Sequence, residues 1–335
     1  MPTVTIATFN CENLFARYKF ETGPGGDKRK KVLTPEQLKE RWGFMPPESW
    51  KNSFQLLGSD DWRKVTARAL KGEGSYPDIV CLQEIESLAV LRRFNEDFLK
   101  TDAYPFAVLI DGHDPRMIDV GVLSVYPIVR LRSHMDEPAA NGPGYVFSRD
   151  CLEVTIDVKG VELHLFVNHL KSKLLQPGQS KSAVDARRQA QAERVAAIVR
   201  ERFGATGWRQ ANLVICGDFN DTPDSAPLAS LLEIGFENVV DRLPANERWT
   251  HYWDKKNLVG QLDYLLVAPD LASRSGGLPK IERRGLVTKQ GMQVWFGTPN
   301  DTKGAVAALE AERFPGVTNK ISASDHCPVR ITLNL

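Results

Sequence analysis

Asp218 and Asn220 stand one residue apart just after the apolar run Val214-Ile215-Cys216. In an extended stretch residues i and i+2 project from the same face, so a carboxylate and a carboxamide leave the strand end together. A carboxylate accepts a proton from water, while an uncharged amide positions a phosphate oxygen without adding repulsion. Gly217, between the apolar run and Asp218, is expected to turn the chain sharply. Gly-Asp-x-Asn is also a good turn after any strand, so the pair gains weight only from its company.

That company recurs in one form along the chain. Thr8-Phe9-Asn10 ends a first apolar segment, and Asp78-Ile79-Val80-Cys81-Leu82 runs into Gln83-Glu84. Leu163-His164-Leu165-Phe166-Val167 runs into Asn168-His169. Gln261-Leu262-Asp263 opens another apolar run, and Ser324-Asp325-His326 precedes Cys327-Pro328-Val329. Acids, amides and imidazoles thus sit where apolar strands meet loops, the place where a sheet presents groups to a crevice.

In this order the motifs resemble the endonuclease/exonuclease/phosphatase superfamily, from Asn10 to His326. Phe9-Asn10-Cys11-Glu12-Asn13-Leu14-Phe15, Asp114-Pro115-Arg116 before Val120-Gly121-Val122-Leu123, and Asn168-His169-Leu170-Lys171-Ser172-Lys173 resemble its bacterial nuclease-like branch. His169 sets the chain apart from the apurinic/apyrimidinic endonucleases of that group. The resemblance implies a four-layer α/β sandwich, two packed mixed sheets flanked by helices, with the site at the loop end between them. It implies metal-dependent phosphodiester hydrolysis, with DNA or RNA as the leading substrate and a small phosphoester or lipid headgroup as the alternative. A place near the cleft for Arg116 and Asp119 is implied in the same way.

Phosphodiester hydrolysis requires neutralised charge and a water aligned with the leaving oxygen. Glu84 is the first expected metal ligand, with Glu86 its competitor. Asp325 is the second carboxylate, and Asn10 adds a neutral oxygen. Hard oxygen donors, without a cysteine or histidine cluster of zinc spacing, suit Mg2+ or Mn2+. Asp218 is expected to activate or orient the water and Asn220 to fix water or phosphate. Asp263 is expected to orient His326, and His326 and His169 to donate to phosphoryl oxygens. Either His326 or Asp218 is the formal base. His113, His134, His164 and His251 carry no functional expectation.

Eight basic residues against three acids lie between Lys171 and Arg202. Lys171, Lys173, Arg187 and Arg188 are candidate phosphate contacts. Arg194, Arg200 and Arg202 read as the solvated face of a helix over 186–203, with Val195, Ile198, Val199 and Phe203 as its buried stripe. The 335-residue chain reads as one domain, 1–335, with insertions near 16–60 and 276–320. The first insertion holds Lys28-Arg29-Lys30-Lys31, Trp42, Trp50 and a short helix from Thr34 to Trp42; the next helix starts at Asp60 or Asp61. The second carries Arg283, Arg284, Lys289 and Trp295.

A 42% apolar content supports a sizeable core, and a net charge of +1 makes no global case for nucleic acid. No apolar stretch is long enough to span a bilayer. Five cysteines cannot all pair internally, and Cys81 and Cys216 lie in apolar strand patterns. Buried free thiols and an N-terminus that enters the first strand within a few residues point to a cytoplasmic setting, or to a secreted one if a signal peptide has been removed. No protein partner is readable.

Overall fold

The computed structural model of the chain describes residues 1–15, 18–20, 54–56, 60–99, 103–140, 143–175, 178–296, 298–305 and 312–335. The strands of its two large sheets are β1 (Thr3–Leu14), β2 (Ile79–Ile85), β3 (Phe106–Leu109), β4 (Asp119–Ser124), β5 (Ile128–Arg132) and β6 (Cys151–Val158). They continue with β7 (Val161–His169), β8 (Leu213–Asp218), β9 (Glu237–Asn238), β10 (Asp263–Val267), β11 (Lys280–Ile281) and β12 (Val329–Asn334). One sheet has the order β11-β12-β1-β2-β4-β3 and the other β9-β10-β8-β7-β6-β5. Each contains one parallel pair, β1 with β2 and β7 with β8, flanked by antiparallel neighbours. Among the described residues, the helices of seven or more residues are α1 (Asp60–Lys71), α2 (Leu88–Phe94) and α3 (Lys181–Phe203).

Alternation along the strands builds the layers. Val4 and Ile6 of β1, Ile79 and Cys81 of β2, Leu165 and Val167 of β7, and Val214 and Cys216 of β8 meet between the sheets. The opposite faces of the first sheet, Phe9, Val80 and Leu82, pack under Val65, Leu70, Leu91 and Phe94 of α1 and α2. Phe166, Ile215, Tyr264 and Leu266 pack under Val195, Ile198 and Val199 of α3. The result is helices, sheet, sheet, helix: the four-layer arrangement expected.

The same two-residue period carries the polar strand ends into the gap between the sheets. Asn10 shares the phase of Val4 and Ile6, His169 that of Leu165 and Val167, Asp218 that of Val214 and Cys216, and Asp263 that of Leu265 and Val267. Register places His169, Asp218 and Asp263 side by side on three neighbouring strands. Glu84 has the wrong phase. Its φ of 63° and the register shift between Gln83 and Ile85 make a bulge that brings its side chain round to His169.

Gly217 differs from expectation. β8 runs straight through it to Asp218, pairing it with Asn168 on one side and Tyr264 on the other. Glycine is needed there because a Cβ would lie 1.9 Å from the Asn168 carbonyl oxygen, at a φ of 130°. α3 begins earlier than expected, capped by Ser180, whose Oγ accepts the Ala183 N–H, and Phe203 stays half-buried. All five cysteines are buried and free.

Part of the 276–320 segment is drawn into sheets. Lys280–Ile281 extends the first large sheet as β11, while Gln293–Phe296 and Thr298–Ala305 join His251–Trp253 and Leu258–Gly260 in a four-stranded sheet. Arg284 there pairs with Glu73 and Glu282, Lys289 pairs with Asp254, and Arg283 lies over the Trp249 ring at 4.2 Å. In the 16–60 segment, Tyr18–Phe20 pairs with Phe54–Leu56. The expected helix from Thr34, Lys28 to Lys31, Trp42 and Trp50 lie outside the described residues.

Gly217→Ala is expected to cost more than about 4 kcal/mol in urea unfolding, because backbone must move to admit the methyl. Gly160→Ala, with φ 87° and open space around its Cβ, is expected to cost about 1 kcal/mol. Equal costs at the two sites would refute the close-approach argument.

Candidate active site

Asp218 is buried at the meeting point of the two sheets. Its Oδ1 accepts the Asn220 backbone N–H at 2.8 Å. Its Oδ2 accepts from Asn10 Nδ2 at 3.0 Å and Asn220 Nδ2 at 3.0 Å, with His169 Nε2 at 3.4 Å and His326 Nε2 at 3.8 Å. Burial alone pushes this carboxyl up, but His326 and His169 outweigh it and hold Asp218 well below the usual carboxylate range. Asn220 adopts a φ of 56°, and its Nδ2 also donates to the Leu170 carbonyl at 3.1 Å. Asn10 accepts the Glu12 N–H on Oδ1, so both ends of its amide are engaged.

His326 Nδ1 donates to Asp263 Oδ2 at 2.9 Å. Thr250 Oγ1 donates to the same oxygen at 2.6 Å and accepts the N–H groups of Leu262 and Asp263. Burial lowers the affinity of His326 for a proton, but the facing Asp263 and Asp218 carboxylates raise its pKa well above the ordinary histidine value. His169 goes the other way: burial and the Arg149 cation lower its pKa against the pull of Asp218. The two imidazoles are thus pushed in opposite directions, 3.8 and 3.4 Å from the same carboxylate oxygen.

Across from them lie the carboxylates. Asp325 is half exposed, with Oδ1 3.8 Å from His326 Nε2 and Oδ2 3.6 Å from His251 Nε2. Glu84 Oε1 is 3.9 Å from His169 Nε2. Glu12, at φ 47°, is solvent-accessible beside the same space; partial desolvation and then the nearby Asp325 and Glu84 carboxylates push its pKa up to about 8. Glu12 and His251 carried no expectation. Glu12 sits two residues after Asn10, the same spacing as Asp218 and Asn220, and that repetition was a signal in the sequence. His251 had none, since only the pairing of its strand against His326 brings it near.

The basic residues divide sharply. Arg188 is fully buried and is spent on Asp221 (2.8 Å), Asp185 (2.5 Å) and the Lys171 carbonyl (2.9 Å), which removes it as a phosphate contact. Lys173 pairs with Asp221. The Lys171 ammonium donates to the carbonyls of Ser172 and Leu174, and burial among Arg149, Arg187 and Arg188 pushes its pKa down to about 8. Arg187 is exposed, as is the Arg116 side chain beside Asp114. Asp119 is buried opposite Ile85; its Oδ1 accepts the Gly112 N–H, and burial pushes its pKa up to about 6. Arg149 is an unexpected buried cation, 2.9 Å from Asp114 Oδ2 and donating to the Leu170 carbonyl beside His169.

The endonuclease/exonuclease/phosphatase family model matches residues 7–326. The chain belongs to that family. Members of the endonuclease/exonuclease/phosphatase family are phosphoester hydrolases that use divalent metals. No curated protein is significantly similar in sequence. Among solved structures, the chain is similar to sphingomyelinase C from Streptomyces griseocarneus, at 17% identity over 100% of both chains and a TM-score of 0.54. Truncated TDP2 from Caenorhabditis elegans is 14% identical, covering 99% of this chain and 98% of that one, with a TM-score of 0.54. A double mutant of Staphylococcus aureus beta toxin with bound magnesium ions is 13% identical, covering 98% and 99%, with a TM-score of 0.51. At these identities the likeness is one of fold. Among the described residues, no helix is long and apolar enough to cross a membrane.

The His326 charge state has a measurable consequence. Its folded pKa lies above the unfolded value of about 6.5, so its ionisation stabilises the fold fully below that pH. The contribution is lost as pH rises through the folded value. In metal-free protein, NMR titration is expected to show the His326 ring protonated well past neutrality, and Asp263→Asn to lower its midpoint by more than about one pH unit. A wild-type midpoint at or below about 6.5 would show that Asp263 does not control this ring.

Proposed function

We propose that this protein is a divalent-metal-dependent phosphodiester hydrolase that cleaves DNA or RNA by in-line attack of water. The observation that carries the hydrolase reading is the Asp218 carboxylate, ringed by two amides and two imidazoles and facing Glu12, Glu84 and Asp325. Glu12, Glu84 and Asp325 line one cleft, where desolvation and then the Asp325 and Glu84 carboxylates raise the Glu12 pKa, and such hard oxygen donors suit a divalent ion such as Mg2+ or Mn2+. Glu84, Asp325, Glu12 and the free lone pair of the Asn10 carbonyl oxygen would hold it. Bound there, the ion supplies Lewis-acid polarisation of a phosphoryl oxygen.

Asp218 is the acceptor for the attacking water, held ionised and oriented by Asn10 and Asn220. Asn220, tied to Leu170 and Asp218, keeps the water or a phosphate oxygen in line. Asp263 orients His326 through Nδ1, which leaves Nε2 to donate to a phosphoryl oxygen as charge builds. His169 donates from the other side of Asp218.

The polynucleotide reading is supported by the likeness of three motifs to the nuclease-like branch and by the solvent-facing Arg116 and Arg187. A small phosphoester or lipid headgroup is the second reading. It is favoured by the internal use of Arg188, Lys173 and Lys171, which thins the surface available to a polyanion.

Hydrolysis of plasmid DNA, single-stranded DNA, RNA and bis(p-nitrophenyl) phosphate, with magnesium, manganese or chelator, tests the assignment. Asp218→Asn is expected to lower kcat about 10²- to 10⁴-fold while metal affinity persists. Glu84→Gln is expected to weaken metal binding about tenfold or more in calorimetry. Undiminished turnover by Asp218→Asn, or turnover in chelator, would remove the mechanism. Cleavage of the small diester with every polymer untouched would favour the second reading.

A further inference from the structure

The cleft has a built wall on one side. The loop 110–118 joins β3 to β4 and the loop 133–150 joins β5 to β6, both at the strand ends that carry His169 and Asp218. Backbone and buried charge lock the two loops together. His113 N–H donates to the Ser148 carbonyl at 2.8 Å, and Arg149 holds Asp114 from one side and the Leu170 carbonyl from the other. Two contacts of the Arg149 guanidinium therefore separate this wall from the residue next to His169.

On that wall stands a stacked aromatic pair. The His113 and Tyr145 rings are 4.3 Å apart and within 8° of parallel. Asp136 fixes the imidazole at 3.0 Å, and Tyr145 is set by its bridge to Pro138 and by the Val146 N–H on the Glu137 carbonyl. Tyr145 remains 44% exposed. Three residues along from His113, the Arg116 side chain also faces solvent.

A stacked pair with a half-exposed tyrosine, on loops that also carry the exposed Arg116 side chain beside Asp114 and that Arg149 ties to Leu170 next to His169, matches one chemistry. Bases offer a flat π face to stack and phosphates offer charge, and such platforms take unpaired bases because paired ones are already stacked. Resting on the polynucleotide reading above, we propose that the His113–Tyr145 pair is a subsite for an unpaired nucleobase flanking the scissile phosphate, with Arg116 on the adjoining phosphate. The enzyme then prefers single-stranded to duplex polynucleotide.

The test compares kcat/KM for a single-stranded oligodeoxynucleotide, its duplex and bis(p-nitrophenyl) phosphate in wild type, Tyr145→Ala, Tyr145→Leu, Tyr145→Phe and Tyr145→Trp. Wild type is expected to favour the single strand. Alanine and leucine are expected to raise KM for it roughly 5- to 100-fold relative to duplex, with kcat little changed, and phenylalanine and tryptophan to restore it. Leucine keeps the bulk without the π face, so a folding defect confined to alanine leaves the comparison intact. An unchanged single-strand to duplex ratio in alanine and leucine overturns the subsite while the nuclease reading stands. A wild type that cleaves no polynucleotide overturns both. Loss of binding to phosphatidylserine vesicles, with oligonucleotide KM unmoved, reassigns the ring to a lipid surface.

Discussion

A buried carboxylate must be given by the protein the hydrogen bonds it loses with water, and Asp218 is the group whose demand organises this molecule. Its two oxygens draw hydrogen bonds from β1 and from the turn after β8, with the imidazole of β7 at 3.4 Å and that of the segment before β12 at 3.8 Å. Those segments belong to different sheets. Satisfying one charge therefore fixes how the sheets approach at their loop end, because losing a donor would leave a desolvated anion at a cost of several kcal/mol.

A second tier of buried charge holds the loops. Arg188, with no exposed surface, joins Asp221 just after the Asp218 motif to the Lys171 carbonyl just after His169. Tyr264 adds its hydroxyl to the Asp221 carbonyl, and stacks on Phe219 at 4.6 Å. Arg149 ties the Asp114 loop to Leu170 in the same manner. Arginine suits this work, since its planar fork reaches two or three acceptors at once and keeps its charge when buried. What resembles a basic substrate-binding run in one dimension is thus largely internal scaffolding in three.

Strain is concentrated at the same place. Glu12, Asn13, Glu84 and Asn220, none of them glycine, take positive φ around the cleft. Such conformations persist where surroundings over-determine them, and here they turn carboxylates and an amide inward that a regular strand would point away. The bulge at Glu84 is the clearest instance.

Alternation alone determined much of this protein. The apolar runs and the phase of Asn10, His169, Asp218 and Asp263 relative to their strand cores were set by a two-residue period that any extended chain obeys. The resemblance in motif order pointed to the same four layers. Tertiary structure decided what local pattern has no means to express. Glu84 faces the cleft through a bulge, His251 arrives by pairing between distant segments, and Gly217 is needed because another strand passes within reach of its missing Cβ. The fate of each arginine was decided there too. Arg187 and Arg188 are neighbours in sequence, yet a helix turns them about 100° apart, so that one meets solvent and the other Asp221.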